Sequence, residues 1–237
     1  MSSTTGGGVD STGGSGSVSS SSGEGVDASG DPAGVTVSGV VHDGPFGDGP
    51  AAVGASVTLL LPPGAGMPQT TTAADGSFSF SGIAPDQVAF VVIAPTPKVA
   101  VGAVFGVEIG EGDLGGLQLF RFPSRNSQAL EVELMVSFNA GTGAIVGYAT
   151  TPIVEFTFTP PPETGSSFAY DAGGAAVLGD SISEWDPPVA SNFNLAPAMP
   201  ETHTVVAARE GLPCAPVGPN NPPILADHIS YVAFDCG

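Results

Sequence analysis

Thr70-Thr71-Thr72-Ala73-Ala74-Asp75-Gly76-Ser77-Phe78-Ser79-Phe80 decides the fold. Asp-Gly stands between two stretches of alternating polarity and supplies the positive φ that a type I′ turn requires, so the stretch predicts a β-hairpin. The same alternation extends outward on both sides, through Val35 and Val37; Ala55, Val57, Leu59 and Leu61; Phe90 and Val92; Phe105, Val107 and Ile109; and Leu117 and Leu119. Successive strand side chains point to opposite faces, so a period of two broken by Gly, Pro and Asp reads as half-buried strands and not as helices. About seven strands fit before Pro123 at this spacing.

Phe122-Pro123-Ser124-Arg125-Asn126 reads as a connector, after which Leu130, Val132, Leu134, Val136 and Phe138 alternate again, with Glu131 and Glu133 on the opposite face. Further strands are expected over Ile145 to Tyr148, Val154 to Phe158, Val205 to Ala207 and Ile229 to Phe234. Pro-rich loops such as Thr159-Pro160-Pro161-Pro162-Glu163 and Pro216 to Pro223 separate them. No window has a sustained helical period. The chain is therefore expected to be all-β: two consecutive Greek-key β-sandwich domains, residues 34–122 and 127–237, after a disordered Gly/Ser-rich tether of residues 1–33. A weak internal repeat links the two. Phe80-Ser81-Gly82-Ile83-Ala84-Pro85 is echoed by Phe193-Asn194-Leu195-Ala196-Pro197, and Gly34-Val35-Thr36-Val37-Ser38-Gly39 by Gly143-Ala144-Ile145-Val146-Gly147.

From Ser2 to Ala33 nearly every residue is Gly, Ser, Thr, Asp or Glu, and Val9, Val18 and Val26 stand alone. Such a stretch cannot bury enough apolar surface to offset the entropy of ordering it, which is why a linker is expected. As a Gly-rich coil it would span about 30 Å r.m.s., enough to hold a domain clear of a crowded surface. The opening Met1-Ser2-Ser3-Thr4-Thr5-Gly6-Gly7 resembles a bacterial lipoprotein cut just after its lipidated cysteine, with Met1 where that cysteine would stand. A membrane is thus expected as a partner only through such an anchor, and the location is expected to be extracellular or the outer cell surface.

Four basic residues, Lys98, Arg121, Arg125 and Arg209, face 23 acidic ones, for a formal net charge of −19 over 237 residues. Binding a phosphate backbone needs clustered Lys and Arg, so nucleic acid is set aside as a partner, and anionic headgroups with it. The carboxylates are scattered, which suits solubility better than one basic partner. Cys214 and Cys236 are the two cysteines. They lack C-x-x-C spacing and are too few for a metal site, so a structural disulfide is the natural pairing and an oxidising compartment its consequence. Two buried free thiols are the alternative.

Residues 34–122 resemble the carboxypeptidase regulatory-like (transthyretin-like, prealbumin-like) β-sandwich family. The resemblance rests on Val37-Ser38-Gly39-Val40-Val41, Gly54-Ala55-Ser56-Val57-Thr58-Leu59, Thr72-Ala73-Ala74-Asp75-Gly76-Ser77-Phe78-Ser79-Phe80, Gly82-Ile83-Ala84-Pro85 and Asp113-Leu114-Gly115-Gly116-Leu117-Gln118-Leu119. It implies an accessory module of secreted enzymes, adhesins or surface lipoproteins, with roles in spacing and in protein or glycan binding. The second half lacks the Asp-Gly-x-Phe stretch. A fold of this kind names no activity.

Catalysis would require a nucleophile with its base, a carboxylate pair or a metal cluster. His42, His203 and His228 are far apart in the chain, and no nucleophile elbow, zinc-protease or phosphate-loop motif occurs. The chain is therefore read as a non-enzyme without an organic cofactor. The best enzymatic analogy, the intradiol dioxygenase sandwich with iron on two Tyr and two His, finds its residue types in Tyr148, Tyr170, Tyr231, His203 and His228, but without the family's closely spaced His pair. Calcium is the ion to consider: Asp43-Gly44-Pro45-Phe46-Gly47-Asp48-Gly49 puts the carboxylates of Asp43 and Asp48 in one Gly-rich loop, and hard cations take clustered oxygens. Asp and Gly are equally the ordinary residues of turns. A second acidic patch, Asp180, Glu184 and Asp186, surrounds Trp185, the only tryptophan, with Tyr170 upstream. An exposed Trp185 with Tyr170 could stack on a sugar face, which makes a carbohydrate-binding module the alternative function. The third reading is a structural subunit that forms homo-oligomers through strand edges left unblunted by so few lysines.

Overall fold

The computed structural model of the chain describes residues 34–44, 49–96, 101–122, 129 and 137–237. The tether expected over 1–33, and residues 130–136 of the strand expected to start at Leu130, lie outside the described residues.

The first half supplies β1 (Val35–Asp43), β2 (Ser56–Leu60), β3 (Gln69–Thr71), β4 (Ser77–Ile83), β5 (Gln87–Ile93), β6 (Gly102–Ile109) and β7 (Leu114–Arg121). The second supplies β8 (Gly143–Ala149), β9 (Val154–Thr159), β10 (Ser167–Tyr170), β11 (Ala176–Leu178), β12 (Ile182–Ser183), β13 (Val189–Leu195), β14 (Thr204–Arg209), β15 (Leu212–Pro213), β16 (Ala215–Val217) and β17 (His228–Asp235). The fold is all-β, as the alternation predicts. β1, β2 and β9 bury every second residue through most of their length, as a strand with one face on a core must.

Three sheets form. A three-stranded sheet runs β4-β1-β7, a four-stranded sheet β12-β9-β14-β15, and a ten-stranded sheet β11-β10-β13-β8-β17-β6-β5-β2-β3, with β16 beside β17. The strand parity of the long sheet explains how one sheet serves two cores. Ile229 and Tyr231 of β17, with Val146 and Tyr148 of β8, pack into the first core among Val37, Leu59 and Phe105. Val232 and Phe234, with Ile145 and Ala149, point the other way into the second core among Phe156, Phe158 and Val205. The two small sheets therefore cover opposite faces of the long one. Two sandwiches result, as expected, and residues Gly34–Gly237 form a single compact unit. β17 lies parallel to β6 of the first half and to β8 of the second, so the last strand of the chain closes the seam.

The internal repeat is carried by equivalent strands. β1 pairs antiparallel with β4 and parallel with β7, while β8 pairs antiparallel with β13 and parallel with β17. The echoed turn ends both antiparallel pairs with a register irregularity, Val35 facing Ile83 and Gly143 facing Leu195. Gly82 and Asn194, which match in the echo, both adopt left-handed φ, +72° and +59°. Glycine and asparagine are the residues that tolerate this best.

The Asp-Gly stretch closes a tight reversal, with Ala73 N donating to Ser77 O at 2.9 Å, but it is not the expected type I′ hairpin between paired strands. β3 pairs with β2 in the long sheet and β4 with β1 in the three-stranded one, so the turn between them is a corner that carries the chain from sheet to sheet. Gly76 alone takes positive φ; its N–H donates to Ala73 O at 3.0 Å, and Asp75 Oδ1 accepts from Ser77 N at 3.0 Å. That is a type I turn followed by a left-handed Gly, not a type I′ turn. The buried Thr72 fastens the corner: its hydroxyl donates to Ala52 O and accepts from Ala55 N.

Candidate functional site

Asp43 and Arg121 end the parallel neighbours β1 and β7 in register. Asp43 Oδ1 accepts from Arg121 Nη2 at 2.6 Å and from Nε at 2.8 Å, and Nη1 donates to Ala94 O at 3.2 Å. Arg121 is 3% exposed. A carboxylate already neutralised by a buried guanidinium is a poor calcium ligand, and Asp48 lies outside the described residues. Among the described residues no group of three or more His, Cys, Asp and Glu comes together as a metal site.

The dioxygenase residue types do not converge. The Tyr148 and Tyr231 rings lie 6.5 Å apart, but Tyr231 is buried in the first core, and burial, with Tyr148 beside it, pushes its phenol far above the usual value. Burial raises Tyr148 in the same direction. His228, three residues before Tyr231 on β17, projects to the opposite face and lies against Gly102. Its Nδ1 is 2.6 Å from Ala226 O, and burial lowers its pKa. His203 sits in the loop before β14, also lowered by burial, and His42 Nδ1 is 3.1 Å from Gly49 O.

Tyr170 and Trp185 share one corner of the second sandwich. Glu184 N and Ser183 Oγ donate to Tyr170 O, at 2.9 and 3.3 Å. Asp171 Oδ1 gathers Gly173 N and Ala175 N into a tight turn. The Trp185 ring rests on Gly174, where a Cβ would meet its Cζ3 at 2.5 Å, and the side chain remains 41% exposed. Tyr170, by contrast, is half-buried and turns its ring edge-on to Phe168, with centroids 5.6 Å apart. One aromatic face is offered at this corner, not a two-ring platform. Of the acidic patch, Asp180 Oδ1 is engaged by Ser181 N and Ile182 N at 2.7 and 3.0 Å.

Cys214 and Cys236 form a disulfide, so the pairing read from the sequence stands. It fixes the segment between β15 and β16 to the residue after β17, and both cysteines pack against the second core.

A feature not read from the sequence is an open groove of ≈ 430 Å³ beside β9, lined among others by Phe156, Phe158, Pro161, Pro162, Glu163 and Asp180. β12 covers only the start of β9, pairing at Val154 and Glu155, with Phe156 N donating to Ser181 O at 2.8 Å. Alternate residues of a strand direct their N–H and C=O to alternate sides, so Phe158 turns its backbone groups the same way as Phe156. Its neighbour across the ladder, Val205, uses its own groups on the far side, with Asn220. Phe158 N–H and C=O thus face the groove, and neither has a hydrogen-bond partner among the described residues. The lining includes Pro161 and Pro162, which have no N–H to donate. The signal available in the sequence was the proline run directly after an alternating strand: such a run cannot pair with the edge it leaves behind.

No family model matches the chain, and no curated protein matches it. Solved structures similar to it include the TIE protein of Bacillus anthracis, with 12% identity over 86% of this chain and 34% of that one, at a TM-score of 0.32. A streptococcal ancillary pilin shares 12% identity over 87% of this chain and 63% of that one, at 0.31. GBS52, the minor pilin of Streptococcus agalactiae, shares 11% over 86% and 96%, at 0.25. The chain spans about a third and just under two thirds of the first two proteins. Likenesses this distant assign neither family nor activity.

Proposed function

We propose that this chain is a non-catalytic protein of the extracellular or outer cell surface, in which a tether of residues 1–33 presents a stiff double sandwich that works as a spacer and a protein-binding module. The observation that carries the reading is the Cys214–Cys236 bond, which ties the seam strand β17 to the second core and belongs to an oxidising compartment. Fusing the two sandwiches through one continuous sheet supports the spacer role, because domains joined by a covered sheet cannot pivot as domains on a linker do. A lipid anchor ahead of Ser2 and membership of residues 34–122 in the carboxypeptidase regulatory-like family belong to the same proposal.

The test is protease treatment of intact cells that carry the protein. An antibody to the double sandwich is expected to lose its signal while a cytoplasmic marker survives, and maleimide is expected to shift the band only after reduction. A signal that survives on intact cells, or free thiols without reduction, overturns the reading. Labelling of surface amines is the wrong probe here, since Lys98 is the only lysine.

The exposed face of Trp185 favours a second reading, glycan binding at the Tyr170–Trp185 corner. Stacking one sugar on an aromatic ring contributes on the order of 1 kcal/mol, so Trp185→Ala is expected to reduce retardation in affinity electrophoresis on surface polysaccharide by about fivefold in apparent affinity while leaving the fold intact. Equal mobility of wild type and variant removes this reading.

A further inference from the structure

We propose that the open edge of β9 is a docking site for an extended, cationic segment of a partner protein, which adds to the four-stranded sheet beyond the end of β12. The inference rests on the reading of this chain as a protein-binding module and names the site and the chemistry of its partner.

Three observations converge on it. The first is the unmet backbone pair of Phe158. A sheet edge with free N–H and C=O is a template for another strand, and a chain laid about 4.8 Å from β9 would satisfy both groups. In the first sandwich the corresponding edge is closed: β3 pairs with Ser56, Val57 and Thr58 of β2, Leu59 N donates to Pro68 O at 2.9 Å, and the strand ends at Leu60. β9 instead runs on to Thr159, past its short cover strand.

The second is the groove. It leaves space beside Phe158, and the Pro161 and Pro162 that line it have no N–H to offer the Phe158 carbonyl. An added strand would set alternate side chains against Phe156, Phe158 and these prolines, which is how strand addition gains specificity.

The third is charge. Glu163 and Asp180 line the groove and no Lys or Arg does, in a chain of net charge −19. A second copy would bring the same sign to the edge, and so would the tether of residues 1–33, which carries Asp10, Glu24, Asp27 and Asp31 and no cation. Like charges brought together disfavour both occupants, which leaves a foreign segment with Lys or Arg flanking β-forming residues.

The experiment uses the whole chain and a fluorescent probe of about seven residues, alternating valine and threonine with lysine at both ends, a length that fits strand addition. Anisotropy is expected to saturate. Exchanging the lysines of the probe for glutamates is expected to weaken binding by about tenfold or more, and Glu163→Lys to weaken the lysine probe by a similar factor, as loss of a close charge pair does. Thr164→Trp, which fills the groove from an exposed position, is expected to abolish binding of either probe with the circular dichroism unchanged. The decisive readout is the Phe158 amide: its hydrogen exchange is expected to slow about tenfold or more when the lysine probe binds, because only a paired strand edge protects it. No saturation, equal binding of the two probes, or an unprotected Phe158 amide overturns the proposal. So does concentration-dependent oligomerisation that Thr164→Trp removes, since the occupant would then be a second copy. Each of these failures leaves the cell-surface result standing, whereas failure of surface exposure leaves the probe titration intact.

Discussion

Replacing Asp43 with alanine is expected to lower the stability of the double sandwich by about 3–5 kcal/mol, the usual consequence of leaving one member of a buried ion pair uncompensated. Arg121 is the reason. Its guanidinium is almost wholly buried, two of its nitrogens are directed at Asp43 Oδ1, and the third reaches only a carbonyl, Ala94 O. Without the carboxylate a full positive charge remains in the end of the first core, held there because Arg121 is strand-bound in β7 and cannot retreat to water. A typical domain has a margin of about 5–15 kcal/mol, so the variant should show a urea midpoint shifted far to the left with the slope unchanged. Replacing both partners by apolar residues, Asp43→Leu with Arg121→Met, should recover most of the loss, because the pair's own net contribution is small once desolvation is counted. A single variant within about 0.5 kcal/mol of wild type would mean that the charge finds solvent.

Asp43 also illustrates what the sequence could and could not say. Its loop, with Asp and Gly in alternation, reads equally well as a cation site or a turn, and the partner that decides the matter lies 78 residues away at the end of a parallel neighbour. Strands with one wetter face were legible: β1, β2 and β9 alternate because water and core take alternate residues. β13 was not. It lies between β10 and β8 with both faces covered, and Ser191 and Asn192 are buried within it, so no alternation survives for the eye to find. The corner at Asp75-Gly76 shows a different limit. Turn chemistry announces a tight reversal, but whether the flanking strands pair with each other depends on which sheet each joins. The repeat was visible as weak echoes of Gly82 and Asn194, and became strong only as matching strand neighbours. The disulfide was legible because two cysteines leave one pairing. The groove beside β9 is the absence, among the described residues, of a partner strand, and an absence has no residue pattern beyond the prolines that follow it.

Tyr231 should dominate the alkaline limit of stability. It sits where the two sandwiches share β17, stacked on Phe105 with centroids 5.0 Å apart and edge-on to Phe120 at 4.7 Å. Its hydroxyl has no hydrogen-bond partner among the described residues. An unmet buried hydroxyl costs about 1–3 kcal/mol, so Tyr231→Phe, which keeps the ring and drops the oxygen, is expected to stabilise the protein by about 1 kcal/mol. Tyr231→Ala removes a large ring buried in the first core and should destabilise by about 3–5 kcal/mol. The pH dependence follows from the raised phenol. In the folded chain Tyr231 stays neutral well above its ordinary value of 10.0, whereas the unfolded chain ionises there, so the unfolded state binds fewer protons. Stability is then complete below about pH 10 and falls above it by about 1.4 kcal/mol per pH unit for this residue, with Tyr148 adding loss of the same sign. Urea midpoints measured from about pH 8 to pH 11 should therefore fall steeply for wild type and more gently for Tyr231→Phe, which keeps only the Tyr148 contribution. Parallel curves for the two proteins would show that the Tyr231 phenol ionises in place, and that the seam admits water where the structure packs aromatic rings.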